Sequence, residues 1–168
     1  MLVFVTGFMG VGKTTIGKSL AMDLNLPFHD LDGYIESENT KTISEIFRSE
    51  GEISFRIKEN LALETIIKRV NGSAVIALGG GTVCSQKAAE RILSSGICIY
   101  LKKEWPETLK DLGRLSGRPL LEKLSTDELK SLFYKRKKFY SLSQLETRVN
   151  TGFSPKKLVN LLKLLTNR

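Results

Sequence analysis

Soft metal ligands are scarce in this chain, with two cysteines and one histidine among 168 residues. Cys84 and Cys98 are too far apart for a C-x-x-C site, and His29 adds no ligand cluster. A disulfide framework and a cysteine–histidine metal centre are therefore excluded, and two reduced thiols in a cytoplasmic protein are expected. Long apolar runs are missing too. The first, Leu2–Thr6, gives way to glycines and Lys13, and no charged segment precedes it. Neither a secretory signal nor a membrane span is expected. Repeats and low-complexity segments are absent.

Acidic residues are outnumbered by basic ones, 18 to 26, for a net charge of +8. The densest basic piece is Lys135-Arg136-Lys137-Lys138, in a helical segment that also carries Lys130. No aromatic-interleaved binding module accompanies it, so a solvated face or an anionic small substrate explains the balance without nucleic acid. The apolar fraction of 41% and charged fraction of 26% are those of an ordinary globular protein. One domain over residues 1–168 is expected.

What the chain does contain is Gly7-Phe8-Met9-Gly10-Val11-Gly12-Lys13-Thr14, a match to G-x-x-x-x-G-K-[ST]. Such a match arises by chance in roughly 1% of chains this long. Here an apolar strand candidate precedes it, and a segment with Ile16, Leu20, Ala21 and Leu24 on one helical face follows. Strand, glycine loop and helix N-terminus together form an anion site. The loop is read as binding ATP through Gly10, Val11, Gly12, Lys13, Thr14 and Thr15, with Lys13 on the outer phosphates and Thr14 on Mg²⁺.

The remainder alternates strands with helices. Leu26–Asp30 reads as a second strand, ending in Asp30-Leu31-Asp32, with Asp32 either in a ligand crevice or capping a helix that opens near Gly33. His29 reads as a structural histidine. Thr42–Glu45 is a capping box, and Gly51-Glu52 breaks the helix it opens. A longer amphipathic helix then runs to about Val70, with Ile53, Ile57, Leu61 and Ile67 among its apolar positions and Arg56 and Glu59 as a possible surface pair. Ala74–Leu78 is a third strand, ending in Gly79-Gly80-Gly81, where backbone is expected to lie flat against a ligand. Ile97–Leu101 is a fourth strand and Trp105–Leu112 a helix. Residues 113–124 read as a mobile lid whose arginines, Arg114 and Arg118, fold onto phosphate. Ser125–Glu128 caps a helix reaching Tyr140, and Thr147–Thr151 is a last strand. The C-terminal helix opens at Ser154-Pro155 and turns Leu158, Leu161, Leu162 and Leu165 inward. The fold expected is α/β, a parallel sheet of five strands flanked by helices.

In order along the chain, the P-loop, Asp30-x-Asp32, Gly51-Glu52-x-x-Phe55-Arg56-x-x-Glu59, Gly79-Gly80-Gly81, Arg118-Pro119-Leu120-Leu121 and Arg136 with Tyr140 form a set that resembles shikimate kinase nearly end to end. The resemblance implies a P-loop domain of the nucleoside-monophosphate-kinase type, transferring phosphate from ATP to shikimate in chorismate and aromatic amino acid biosynthesis. It further implies Arg56 and Arg136 on the substrate carboxylate, and Asp32 with Gly79, Gly80 and Gly81 around the hydroxyls. Glu59 would orient Arg56, Asp30 would hold Mg²⁺ through water beside Thr14, and Arg118 would act in the lid as an arginine finger. Lys13, Asp32 and Arg118 are thus the catalytic candidates.

Ala77, Asn150 and the short lid around Arg114 depart from the family pattern. Arg114 is the candidate for stacking on adenine. A gluconate-type or nucleotide kinase of the same fold is the nearest alternative. A mechanical NTPase fits less well, because it would want an apolar strand ending in Asp-Glu. The expected partners are shikimate and ATP, with no nucleic acid and no membrane, and the expected state is a cytoplasmic monomer.

Overall fold

The computed structural model describes residues 1–115, 119–150 and 152–166. Its centre is β1 (Leu2–Thr6), buried along its whole length. The P-loop follows, and α1 (Lys13–Leu24) opens from Gly12. Next come β2 (Phe28–Asp30), α2 (Leu31–Asn39) and α3 (Ile43–Arg69), the last bent at Gly51. β3 (Ala74–Ala77) runs through the three glycines into a short 3-10 turn, Thr82–Cys84. The chain continues with α4 (Gln86–Ser95), β4 (Gly96–Lys102), α5 (Trp105–Leu112), α6 (Pro119–Lys123) and α7 (Thr126–Tyr140). It closes with β5 (Leu145–Arg148) and α8 (Lys156–Thr166).

The sheet is parallel throughout, in the order β2-β3-β1-β4-β5. Helices cover both faces, so the inner strands are apolar on both sides rather than alternating. Leu2 and Phe4 of β1, with Ala74 and Ile76 of β3, face a core shared with α2, α3, α4 and α7. Val3, Val5, Val75 and Ile99 face a second core closed by α1 and α8. Because the strands are parallel, the segments after β1, β2 and β3 emerge at one edge of the sheet, where such folds bind ligands. Those segments are the P-loop, Asp30 to Asp32, and Gly79 to Gly81.

Both capping boxes form as expected: Thr42 with Glu45, and Ser125 with Glu128. Four expectations are corrected. The last strand is Leu145–Arg148, two residues earlier than 147–151, paired from Ile99↔Leu145 to Lys102↔Arg148. As an edge strand it is half exposed and carries Glu146 and Arg148 outward, which hides it among loop residues. On α3 the stripe Ile53, Ile57 and Leu61 faces outward, while Phe55, Glu59, Ala62, Leu63 and Ile66 face the core. A buried carboxylate on the inner face misdirects an apolar count. On α8, Val159 joins Leu158 and Leu162 in the core, and Leu161 and Leu165 are exposed. The cap of α2 is Asp30, whose Oδ1 accepts from the N–H groups of Asp32 and Gly33, so the helix begins at Leu31 and Asp32 lies in its first turn.

Candidate active site

The P-loop takes its shape from backbone geometry that side chains resist. Gly10 and Gly12 have φ of 81° and 96°, in the left-handed region, and Gly12 forms the N-cap of α1. Lys13 Nζ donates to the carbonyls of Gly7 and Phe8 at 3.0 and 3.2 Å, bringing its ammonium over the loop. Val11 is buried beneath the loop, while Thr14 and Thr15 are exposed in the first turn of α1. A run of amides at a helix N-terminus, with a lysine above it, suits a polyphosphate.

Beside the loop, Thr14 Oγ1 donates to Asp30 Oδ2 at 2.6 Å. Because Asp30 Oδ1 is occupied by capping α2, the carboxylate holds a fixed orientation toward Thr14. One hydroxyl and one oriented carboxylate match Mg²⁺, which keeps much of its water and takes few protein oxygens. Among the described residues, no three His, Cys, Asp or Glu side chains gather into a metal cluster. The departure at Ala77 lies next to this site, since Ala77 is the register partner of Asp30.

An open cleft adjoins the loop. Its polar side is made by Asp32, Arg56, Glu59, Arg136 and the three glycines, and its apolar side includes Met9, Phe47, Phe55 and Leu120. The bend at Gly51, with φ 82° and ψ 173°, lets Phe47 and Phe55 from the two halves of α3 meet with ring centroids 4.6 Å apart.

Arg56 Nη1 donates to Glu59 Oε2 at 2.7 Å, and Nη2 to Glu52 Oε1 at 3.2 Å. Burial opposes the charge on Arg56, but Glu59 and then Glu52 outweigh it and raise its pKa further, so it stays a cation. The pair is therefore more than a surface contact: Glu59 is 3% exposed, and its second oxygen accepts from Thr82 Oγ1 at 2.6 Å.

Arg136 approaches from the other side. It is 7% exposed, its Nη1 donates to the Gly80 carbonyl at 3.3 Å, and its guanidinium lies 5.9 Å from the centre of the Phe8 ring. Tyr140, fully buried one turn later, donates its hydroxyl to the same carbonyl. Burial pushes the Tyr140 phenol well above its ordinary range, so it remains a donor. Of the basic run on α7, Arg136 points inward while Lys135 and Lys138 are exposed.

The structure thus brings Asp32, Arg56, Arg136 and Gly79 to Gly81 together, with Lys13, Thr14 and Asp30 beside them. Arg114 is exposed in the turn after α5, where its neighbour Leu115 leans over Gly10. Arg118 lies outside the described residues, whereas Pro119 and Leu120 of the expected lid line the cleft. Glu52 and Tyr140 stood in the motif set without an assigned role, and Thr82 escaped sequence reasoning altogether. Glu52 was legible as the residue four before Arg56. Nothing in the spacing pointed to Thr82. Two arginines and a carboxylate over a bare backbone can hold a small anion that also carries hydroxyls, beside a polyphosphate site.

A family model described as shikimate kinase matches residues 9–164. The shikimate kinase of Persephonella marina is 37% identical over 159 residues, which cover 94% of each chain. The solved shikimate kinase of Acinetobacter baumannii, in complex with shikimate, superposes with a TM-score of 0.87 at 31% identity, covering 99% of this chain and 94% of that one. A gluconokinase from Sinorhizobium meliloti superposes with a TM-score of 0.60 at 16% identity, a likeness of fold alone.

Proposed function

The chain belongs to the shikimate kinase family, and from that premise we propose a residue-by-residue account of how it works. The enzyme transfers the terminal phosphoryl group of ATP to shikimate, giving shikimate 3-phosphate and ADP, and it uses Mg²⁺. The observation that carries the substrate reading is the convergence of Arg56, Arg136 and Asp32 over Gly79 to Gly81. The gluconate alternative has only a distant likeness of fold behind it.

Arg56 and Arg136 receive the shikimate carboxylate from two sides, and burial around Arg136 strengthens the charge-assisted bonds. Asp32 accepts from the ring hydroxyls, and the glycines let the ring lie against the backbone. Lys13 shifts from the loop carbonyls onto the outer phosphates, with Gly10, Val11, Gly12, Thr14 and Thr15 supplying the cradle. Thr14, and Asp30 through water, would hold Mg²⁺, which would supply neutralisation of phosphate charge. In the transfer, the bond from the terminal phosphorus to its bridging oxygen breaks and a bond to the shikimate oxygen forms. The hydroxyl proton leaves toward Asp32. Arg118 steadies the moving phosphoryl from the lid at 113–124, and Arg114 stacks on adenine. Positioning carries most of the rate in such a loose transition state.

One chain carries every residue named, which supports a monomer. No described helix is long and apolar enough to cross a membrane. A cytoplasmic enzyme with neither nucleic acid nor membrane as partner follows from this reading. The test is ADP release from ATP with and without shikimate. Release that depends on shikimate and is absent with gluconate is expected. Equal release with either acid, or release independent of both, would overturn the reading.

A further inference from the structure

Thr82 opens the 3-10 turn behind the glycine loop and is 2% exposed. Its N–H donates to the Gly79 carbonyl at 3.3 Å, which ties its backbone to the loop, and its hydroxyl donates to Glu59 Oε1 at 2.6 Å. Glu59 Oε2 in turn accepts from Arg56 Nη1 at 2.7 Å. We propose that Thr82 is a positioning residue for the acceptor substrate: its hydroxyl fixes the Glu59 carboxylate, and Glu59 then holds Arg56 where the substrate carboxylate is received. The inference rests on the shikimate reading above.

A threonine hydroxyl carries one proton, so directing it at Oε1 decides which way the carboxylate faces. The crowding above Gly79 shows why that matters. A Cβ built there would lie 2.7 Å from Glu59 Oε1, 2.9 Å from Asp32 Oδ1 and 2.9 Å from Thr82 Oγ1. Two carboxylate oxygens therefore share one small space with one hydroxyl. The Thr82 proton compensates Glu59 within that space and leaves Asp32 oriented to the cleft. Without it, Glu59 Oε1 is a charged acceptor that has lost its donor in a buried, like-charged setting, and such a group turns to find another partner.

Arg56 is the side chain that registers the turn. It is held between buried Glu59 and Glu52, whose side chain is 56% exposed. Loosening the buried anchor leaves the solvent-facing one, and the guanidinium swings outward, away from Arg136. Since the substrate carboxylate is bound alike before and during transfer, the cost falls on binding rather than on the chemical step.

The experiment measures KM for shikimate, KM for ATP and kcat in Thr82→Val, which keeps the shape and removes the proton, and in Thr82→Ser, which keeps the proton. Thr82→Val is expected to raise KM for shikimate about tenfold or more, within the range of a lost bond to a charged group. ATP affinity and kcat at saturating shikimate should stay within about threefold of wild type, and Thr82→Ser should restore shikimate binding. In an Arg56→Ala background, Thr82→Val should add nothing, because the two lie on one path. Normal shikimate KM in Thr82→Val overturns the proposal. So does an equal loss in Thr82→Ser, a parallel loss of ATP affinity, or an additive effect on Arg56→Ala. If Thr82→Val does not fold, Thr82→Ala takes its place; failure of both overturns the proposal, since Thr82 would then serve the fold and not the site. A wild-type enzyme that ignores shikimate brings down the functional reading as well, whereas an active wild type with an indifferent Thr82→Val brings down this inference alone.

Discussion

The guanidinium of Arg56 lies directly against the backbone of Gly81, where a methyl group would come within 2.6 Å of Nη2 and 2.8 Å of Nη1. Gly81 has an ordinary φ of −118°, so no backbone strain demands glycine there. What demands it is the arginine. Because the clash would be with the far end of a long side chain, Gly81→Ala should displace Arg56 and leave the fold intact. We expect KM for shikimate to rise tenfold or more, roughly the ~1.5–3 kcal/mol of a bond to a charged group, with ATP KM and the thermal midpoint little changed. Steady-state kinetics against each substrate, with a thermal melt, checks it.

The two substrate arginines should differ in kind. Arg56 is partly exposed and shared with two carboxylates, whereas Arg136 is buried and bonded to the Gly80 carbonyl that Tyr140 also serves. Arg56→Ala should weaken shikimate binding by ~1.5–3 kcal/mol. Arg136→Ala should cost at least as much, because its charge acts in a less hydrated place. Titration calorimetry with shikimate and, separately, with an ATP analogue decides it: normal shikimate binding in both variants would remove the carboxylate assignment.

Much of this site was legible because its parts are local. The P-loop, both capping boxes and the glycine run are short patterns whose geometry depends on neighbours in sequence. What was hidden depends on the far chain. Thr82 matters only because the helix carrying Glu59 packs across it, 23 residues away in sequence. The stripe Ile53, Ile57 and Leu61 reads as a core face because apolar spacing cannot register that charged Glu59 belongs inside once Arg56 and Thr82 satisfy it. Asp30 and Asp32 were both visible, but which of them caps α2 followed from where β2 ends, and that is set by pairing with β3.

Asp30 serves Thr14 with one oxygen and the N-terminus of α2 with the other. Asparagine caps helices about as well as aspartate, so Asp30→Asn removes charge while retaining the cap. The magnesium dependence of turnover should shift to higher concentration by roughly tenfold, the scale of one lost charge-assisted contact. The thermal midpoint should move little. An unchanged magnesium titration would dissociate Asp30 from the metal.

Cys98, on β4 beside Phe4 of β1, is buried, and burial pushes its thiol up to about 11 from an ordinary 9. The folded state therefore keeps this proton where the unfolded chain releases it. Stability from this group is complete below pH 9 and falls as pH rises through 9 to 11, by about 2–3 kcal/mol at the ~1.4 kcal/mol carried by each pKa unit. Urea midpoints at pH 8 and pH 10.5 should drop more in wild type than in Cys98→Val. An equal drop in both would assign the loss to other groups, Tyr100 first among them, since burial holds its phenol at about 12.

Asp32 offers the sharpest division between positioning and proton transfer. It sits in the first turn of α2 and lines the cleft, with Oδ1 aimed at the space above Gly79. No histidine stands among the described residues lining that cleft, and its other carboxylate, Glu59, already accepts from Arg56 and Thr82 with its two oxygens, so a base, if one acts, is Asp32. A loose transition state asks little of a base, because the attacking hydroxyl loses its proton late. Asp32→Asn keeps an acceptor for the ring hydroxyls and removes basicity. If proton removal dominated, kcat alone would fall, by about 10²–10⁴. If positioning dominates, shikimate affinity falls together with kcat, since an amide accepts more weakly than a carboxylate and presents a donor where a second acceptor stood. We expect the second pattern. Shikimate binding measured by calorimetry alongside turnover separates the two, and a variant normal in both would place Asp32 outside the reaction.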